Sequence, residues 1–127
     1  MKALALLGIL SMTLLADINI VTSKNSPIKG VTIEDLAKVY LKKKTTINGV
    51  KVIPIDNKDS YNDFCKKVIK KTPKQLRAYW MKEIFKGNKK PPQKLSSAEI
   101  KKKIQKNPYV ISYATNKLTG KVIFTIK

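Results

Sequence analysis

The sequence contains no histidine and a single cysteine, and all but one of its basic residues are lysine. Without histidine the commonest general base and metal ligand is missing. One cysteine, Cys65, can neither close a disulfide within the chain nor build a zinc site alone. Arginine is the better bidentate reader of phosphates and base edges, and only Arg77 is present, so dedicated nucleic-acid readout is disfavoured. Acidic residues are scarce, eight in all. Asp56, Asp59 and Asp63 are the only close group. They could form a cation or acid/base site, or could simply favour the positive end of a helix, which is the plainer reading. No phosphate-loop glycine pattern, nucleophile elbow or metalloprotease helix occurs. The chain is therefore read as non-enzymatic, and no cofactor or metal is expected. There is also no apolar run of the roughly 20 residues that a membrane-spanning helix needs.

A shorter apolar run, Ala3–Leu15, follows the basic Met1–Lys2, and the small Ala16 precedes Asp17. That order is the pattern of a secretory signal peptide over residues 1–16, with a buried N-terminal helix as the alternative. Export to the periplasm is expected, and residues 17–127 would form one domain. The full chain of 127 residues carries a formal charge of +19. Such a charge favours anionic partners in general. Lysines are spread along the sequence, so a compositional bias accounts for them as well as a dedicated surface does. A basic module that binds nucleic acid or anionic polymers by charge stands as the alternative function.

The order of elements reads strand, helix, strand, three helices and a closing pair of strands, which implies an α/β domain with a mixed sheet flanked by helices. Asp17–Thr22 is a short β-branched run with the look of a buried parallel strand. Thr32 with Asp35, Ser60 with Asp63, Thr72 with Gln75 and Ser96 with Glu99 are four capping-box pairs, each opening a helix. Val50–Ile55 is the second strand, with Pro54 placed near its end or facing an edge. Lys89, Lys90, Pro91 and Pro92 mark an exposed connector. Tyr109–Ala114 and Lys121–Ile126 are close enough to form an antiparallel hairpin. Tyr61, Phe64, Val68 and Ile69 mark one buried helix face, and Leu76, Tyr79, Trp80 and Ile84 mark another. Tyr79 and Trp80 could stack bases beside Lys82, but at this spacing they belong to the core. Gly87–Asn88 reads as a helix stop, and Cys65 as a buried thiol.

Val50–Phe64 is the stretch around which a site could form. It reads as a strand, a polar turn and the start of a helix, and in open α/β folds ligands bind at that junction. The Ser60 hydroxyl and the amides of Tyr61 and Asn62 could grip an oxyanion. The loop after the first strand, with Lys24, Asn25 and Ser26, could face them if both loops lie at the same sheet edge.

Five segments, NIVTSKNSPI, TIEDLAKVYLKKKTTINGVKVIPID, TPKQLRAYWMKEIFKG, KKPPQKLSS and NPYVISYA, together resemble the short single-domain members of the phosphate ABC transporter substrate-binding protein family, of the type 2 periplasmic-binding-protein-like group. The resemblance implies a single-lobe α/β domain, export to the periplasm, binding of phosphate or another small oxyanion, and a membrane transporter or sensor as partner. The family's GSGT-like loop is DSYN here, and only Ser60 carries over. Tyr109 and Ser112 replace glycines of the NPGAIGY pattern, and Ile47 stands where the family commonly has tryptophan.

Overall fold

A computed structural model describes residues 16–127 apart from Asn88. The expected signal peptide and the stop at Gly87–Asn88 therefore fall wholly or partly outside the described residues. The described elements are β1 (Ile18–Thr22), α1 (Ile33–Tyr40), β2 (Thr46–Ile47), β3 (Val50–Lys51), β4 (Ile53–Asn57), α2 (Tyr61–Phe64), a π-helical turn (Cys65–Ile69), α3 (Pro73–Phe85), β5 (Gln93–Leu95), α4 (Ser97–Lys106), β6 (Val110–Ala114) and β7 (Lys121–Ile126). No helix among the described residues is long and apolar enough to cross a membrane.

Five strands form one mixed sheet in the order β5-β4-β6-β1-β7. The sequence-based reading needs three corrections here. β1 is buried as expected, but it runs antiparallel to both of its neighbours, β6 and β7. β6 and β7 are consequently not a hairpin, because β1 lies between them. Their short spacing suggested direct pairing, but the intervening slot is filled by a strand from the other end of the chain. The proline-bearing connector also contributes an edge strand, β5, parallel to β4. Pro92 stops one residue before that strand begins, so neither proline interrupts the ladder. Asn48 and Gly49 both have positive φ, 47° and 81°, and join β2 to β3 as an Asn-Gly hairpin turn. Pro54 is the second residue of β4, at the end where its missing N–H matters least.

The helices cover both faces. Ile18, Ile20, Leu36, Val39, Tyr40, Phe64, Val68, Ile111 and Tyr113 pack as one core between the sheet and α1–α2. Val21, Ile55, Ile100, Ile104, Val110 and Leu118 pack as a second beneath α4. The narrow stripe read for α4 is correct: Ile100 and Ile104 are its two buried side chains. A third cluster of Leu41, Cys65, Leu76 and Trp80 holds α3. Ile84, expected in that core, is 54% exposed. Three of the four capping boxes form, at Thr32, Thr72 and Ser96.

Gly120 marks the closest approach between the β6–β7 loop and β1. A Cβ there would collide with the Thr22 carbonyl and lie 2.8 Å from Ile104 Cδ1. Gly120→Ala is therefore expected to destabilise the fold by about 1–3 kcal/mol, since backbone must move to admit the methyl group. A urea titration of the two proteins checks this, and an unchanged midpoint would show that the loop yields freely.

Candidate functional site

β4 ends in Ile55, Asp56 and Asn57, and the chain turns through Lys58–Ser60 into α2. Asn57 fixes this turn. It is fully buried, and its amide donates to the Tyr113 carbonyl at 2.8 Å and to Ser97 Oγ at 3.0 Å. Its Oδ1 accepts from the Asp59 N–H at 2.8 Å, an Asx turn. Ser97 Oγ in turn donates to Asp59 Oδ2 at 2.9 Å. The Lys58 N–H reaches the Leu95 carbonyl at 2.9 Å. The ends of β4, β5 and β6 and the start of α4 are thus tied together around one side chain.

The Ser60 capping box does not form. Ser60 has φ −119° and ψ 12°, outside the extended region that a capping residue normally adopts, and its hydroxyl makes no cap hydrogen bond. Its carbonyl accepts from the Phe64 N–H at 3.0 Å. The N–H groups of Tyr61 and Asn62 find no backbone acceptor among the described residues. α2 is a single turn, but the helical path continues through the π turn and ends at Lys70 in the left-handed region, where the Lys70 N–H closes on the Cys65 carbonyl at 2.6 Å. Ser60 itself is buried, Asn62 is exposed, and Tyr61 is half-buried beneath the Lys94 ammonium, 3.6 Å from its ring centroid.

The six residues expected to share a cradle do not converge, and this is the main correction to the site. β4 runs parallel to β6, whereas β1 runs antiparallel to it. The loop after β4 and the loop after β1 therefore emerge at opposite edges of the sheet. Lys24 and Asn25 line a hollow of about 320 Å³ with Ile104, Gln105, Thr119 and Gly120. Ser26 is buried, with its Oγ accepting from the Ile28 N–H and its carbonyl from Lys121 Nζ, both at 3.1 Å. Asn62 belongs to another hollow, with Lys66, Lys70, Lys71 and Thr72. Asp56, Asp59 and Asp63 do not gather into a metal-holding group among the described residues.

Asp56 is the residue whose chemistry departs most from the expectation. It belongs to β4 rather than to the turn, is 8% exposed, and accepts from Tyr113 Oη at 2.7 Å. Burial pushes its carboxyl up to about 6, against the Tyr113 hydrogen bond and the nearby Lys94 charge, which both pull it down. Burial raises the Tyr40 and Tyr113 hydroxyls well above the ordinary phenol value. Tyr40 Oη lies 3.1 Å from both the Ile55 and the Ile111 carbonyls. The Cys65 thiol is pushed up to about 11, chiefly by burial, so it is a poor nucleophile. An apolar run followed by Asp-Asn could have been read as a strand ending in a buried polar pair, but Asp56 and Asn57 look in sequence like ordinary turn residues.

Neither a protein-family model nor a curated protein sequence matches the chain. Solved structures do. A protein assigned as a phosphate ABC transporter substrate-binding protein, from Clostridium perfringens with phosphate bound, superposes with a TM-score of 0.56 over 77% of this chain at 20% identity. PstS from Borrelia burgdorferi gives 0.55 over 80%, also at 20% identity. An ABC-type phosphate transport receptor from Vibrio cholerae gives 0.51 over 88% at 15% identity. The fold is that of the phosphate substrate-binding proteins. The chain spans 40%, 42% and 46% of the lengths of these three. At such identity the likeness speaks for the fold, and the site must be argued from this chain's own residues.

Proposed function

We propose that the protein is an exported, non-enzymatic substrate-binding lobe that holds phosphate or a related oxyanion weakly at the Ser60–Asn62 corner, and that it works beside a membrane transporter or sensor. The observation that carries this reading is the junction at the end of β4. The Tyr61 and Asn62 amides and the Ser60 hydroxyl are unspent there, at the carboxyl end of parallel strands, in a fold shared with phosphate-binding neighbours. The export signal read over residues 1–16 supports the location.

The geometry also limits the strength of binding. The Lys24–Ser26 loop is at the far edge and cannot close over the ligand. Asp59 and Asp63 stand at the same turn and repel an anion. An oxyanion would be held from one side, and the expected affinity is about 1 mM or weaker, worth roughly 4 kcal/mol. Calorimetry on the purified protein at low salt, with phosphate and with sulfate, tests the proposal. Ser60→Ala is expected to weaken binding several-fold. Absence of heat with either anion would remove the ligand from the reading and leave the fold untouched.

A further inference from the structure

α3 has thirteen residues and buries only two of them, Leu76 and Trp80. Beyond these it is held by Tyr79, whose Oη donates to the Leu41 carbonyl at 2.8 Å. Its last turn points large apolar side chains outward: Met81 is 71% exposed, Ile84 54% and Phe85 94%. A concave groove of about 520 Å³ runs beside this face. One wall is Leu76, Trp80, Met81 and Ile84, and the other is the Pro91–Pro92 segment leading into β5. Soluble domains seldom leave apolar side chains of this size side by side along a groove unless something covers them.

The charge around the groove says what covers it. Arg77 and Lys94 stand in its walls, and Lys90 immediately precedes the Pro91–Pro92 segment, all three exposed. Glu83 is the only carboxylate on α3, and Lys86 lies 3.9 Å from it. Asp56 lies at the floor, already engaged by Tyr113. A second copy of this chain would bring the same positive charge and be repelled. A flat anionic surface would meet the lysines but leave the concavity unfilled.

We propose that the groove between α3 and the Pro91–Pro92 segment is a docking site for an acidic amphipathic peptide segment of a partner protein. The apolar side chains of the segment seat against Trp80, Met81 and Ile84, as an amphipathic helix seats in a groove, and its carboxylates meet Arg77 and Lys94. The groove adjoins the Ser60–Asn62 corner, because the Tyr61 ring lines it beneath Lys94, but its walls are α3 and the proline segment, and the proposal does not depend on oxyanion binding.

Trp80 is the only tryptophan and stands in the groove wall, so its emission reports occupancy directly. The purified protein is titrated with a synthetic peptide carrying leucines on one helical face and glutamates on the other. The controls are the lysine-for-glutamate peptide, polyglutamate, inorganic phosphate and vesicles of phosphatidylglycerol. The expected result is a saturable shift in Trp80 emission with the acidic amphipathic peptide, at least tenfold weaker with polyglutamate and absent with phosphate. Met81→Ser and Ile84→Ser are each expected to weaken that binding at least tenfold while leaving the far-ultraviolet circular dichroism unchanged, because both side chains line the groove and are mostly outside the core. No saturable shift with the acidic peptide, equal affinity for polyglutamate, unaltered affinity in both variants, or a response to vesicles in place of the peptide overturns the proposal.

Discussion

Raising the pH from 4 to 7 is expected to remove about 2 kcal/mol of folding free energy through Asp56 alone, and Asp56→Asn is expected to abolish that loss. The folded carboxyl titrates near 6 because it is buried. In the unfolded chain it titrates near the ordinary carboxylate value, about 3.9. A carboxyl raised on folding favours the folded state fully below its unfolded value and loses that contribution as pH climbs through its folded value. The full span between the two values is about 3 kcal/mol, at 1.36 kcal/mol for each tenfold change in proton affinity, and about 2 kcal/mol of it falls between pH 4 and 7, because the unfolded carboxyl is already about half ionised at pH 4. Asparagine keeps an oxygen for Tyr113 Oη, now 2.7 Å from Asp56 Oδ1, and cannot ionise. Urea unfolding of both proteins at the two pH values checks the sign and the size. Asp35, lowered chiefly by Lys44, and Glu99, lowered by its Ser96 cap, affect both proteins alike and drop out of the difference. A wild-type-to-variant gap that does not change with pH would show that Asp56 ionises without strain in the folded protein.

Phe64→Ala is expected to destabilise the protein by about 3–5 kcal/mol, the range for removing a fully buried phenyl ring. Phe64 stacks on Tyr113 with centroids 3.8 Å apart and planes 3° from parallel, and meets Tyr40 edge-on at 4.7 Å. These three rings join α1, α2 and β6. Tyr40 and Tyr113 cannot slide into the void freely, because their hydroxyls are engaged with the Ile55 and Ile111 carbonyls and with Asp56. The cavity should therefore persist, which puts the cost at the upper end of the range. Single domains of this size are stable by about 5–15 kcal/mol in total, so the variant stands near the limit of folding. Denaturant unfolding measures the difference. A loss below 1 kcal/mol would mean that the aromatic cluster repacks around the gap. Phe64→Leu, which refills most of the volume, should fall between the two proteins.

Helix positions and caps were the legible part of the sequence, because they depend on residues three or four apart. Thr32–Asp35, Thr72–Gln75 and Ser96–Glu99 announced three helix starts correctly, and Trp80, Phe64 and Cys65 were rightly placed inside. What the sequence did not disclose depends on residues far apart. Nothing local in Asp17–Thr22 says that β1 slots between β6 and β7, so neither its antiparallel direction nor the edge at which the Lys24–Ser26 loop emerges is written in that segment. Ser60 satisfied the capping pattern, yet Asn57 dictates the path of the turn and pulls Ser60 out of cap geometry. Asp56 reads in sequence as a turn acid because polar residues at the end of an apolar run usually mark a turn. Its burial follows from Tyr113, fifty-seven positions away, reaching back to hold it.

The middle position of β1 in the sheet has a consequence for the order of assembly. Both of its neighbours come from the far part of the chain, so Ile18 waits for Ile126 and Ile20 for Tyr113 and Phe124. Until residues beyond 110 have left the ribosome, the first strand has no ladder to join, and the nascent chain carries an unpaired Ile-Asn-Ile-Val segment. The closing step spans most of the polypeptide and is entropically demanding. The sheet therefore stays unlocked until the segment from Val110 to Ile126 has been made.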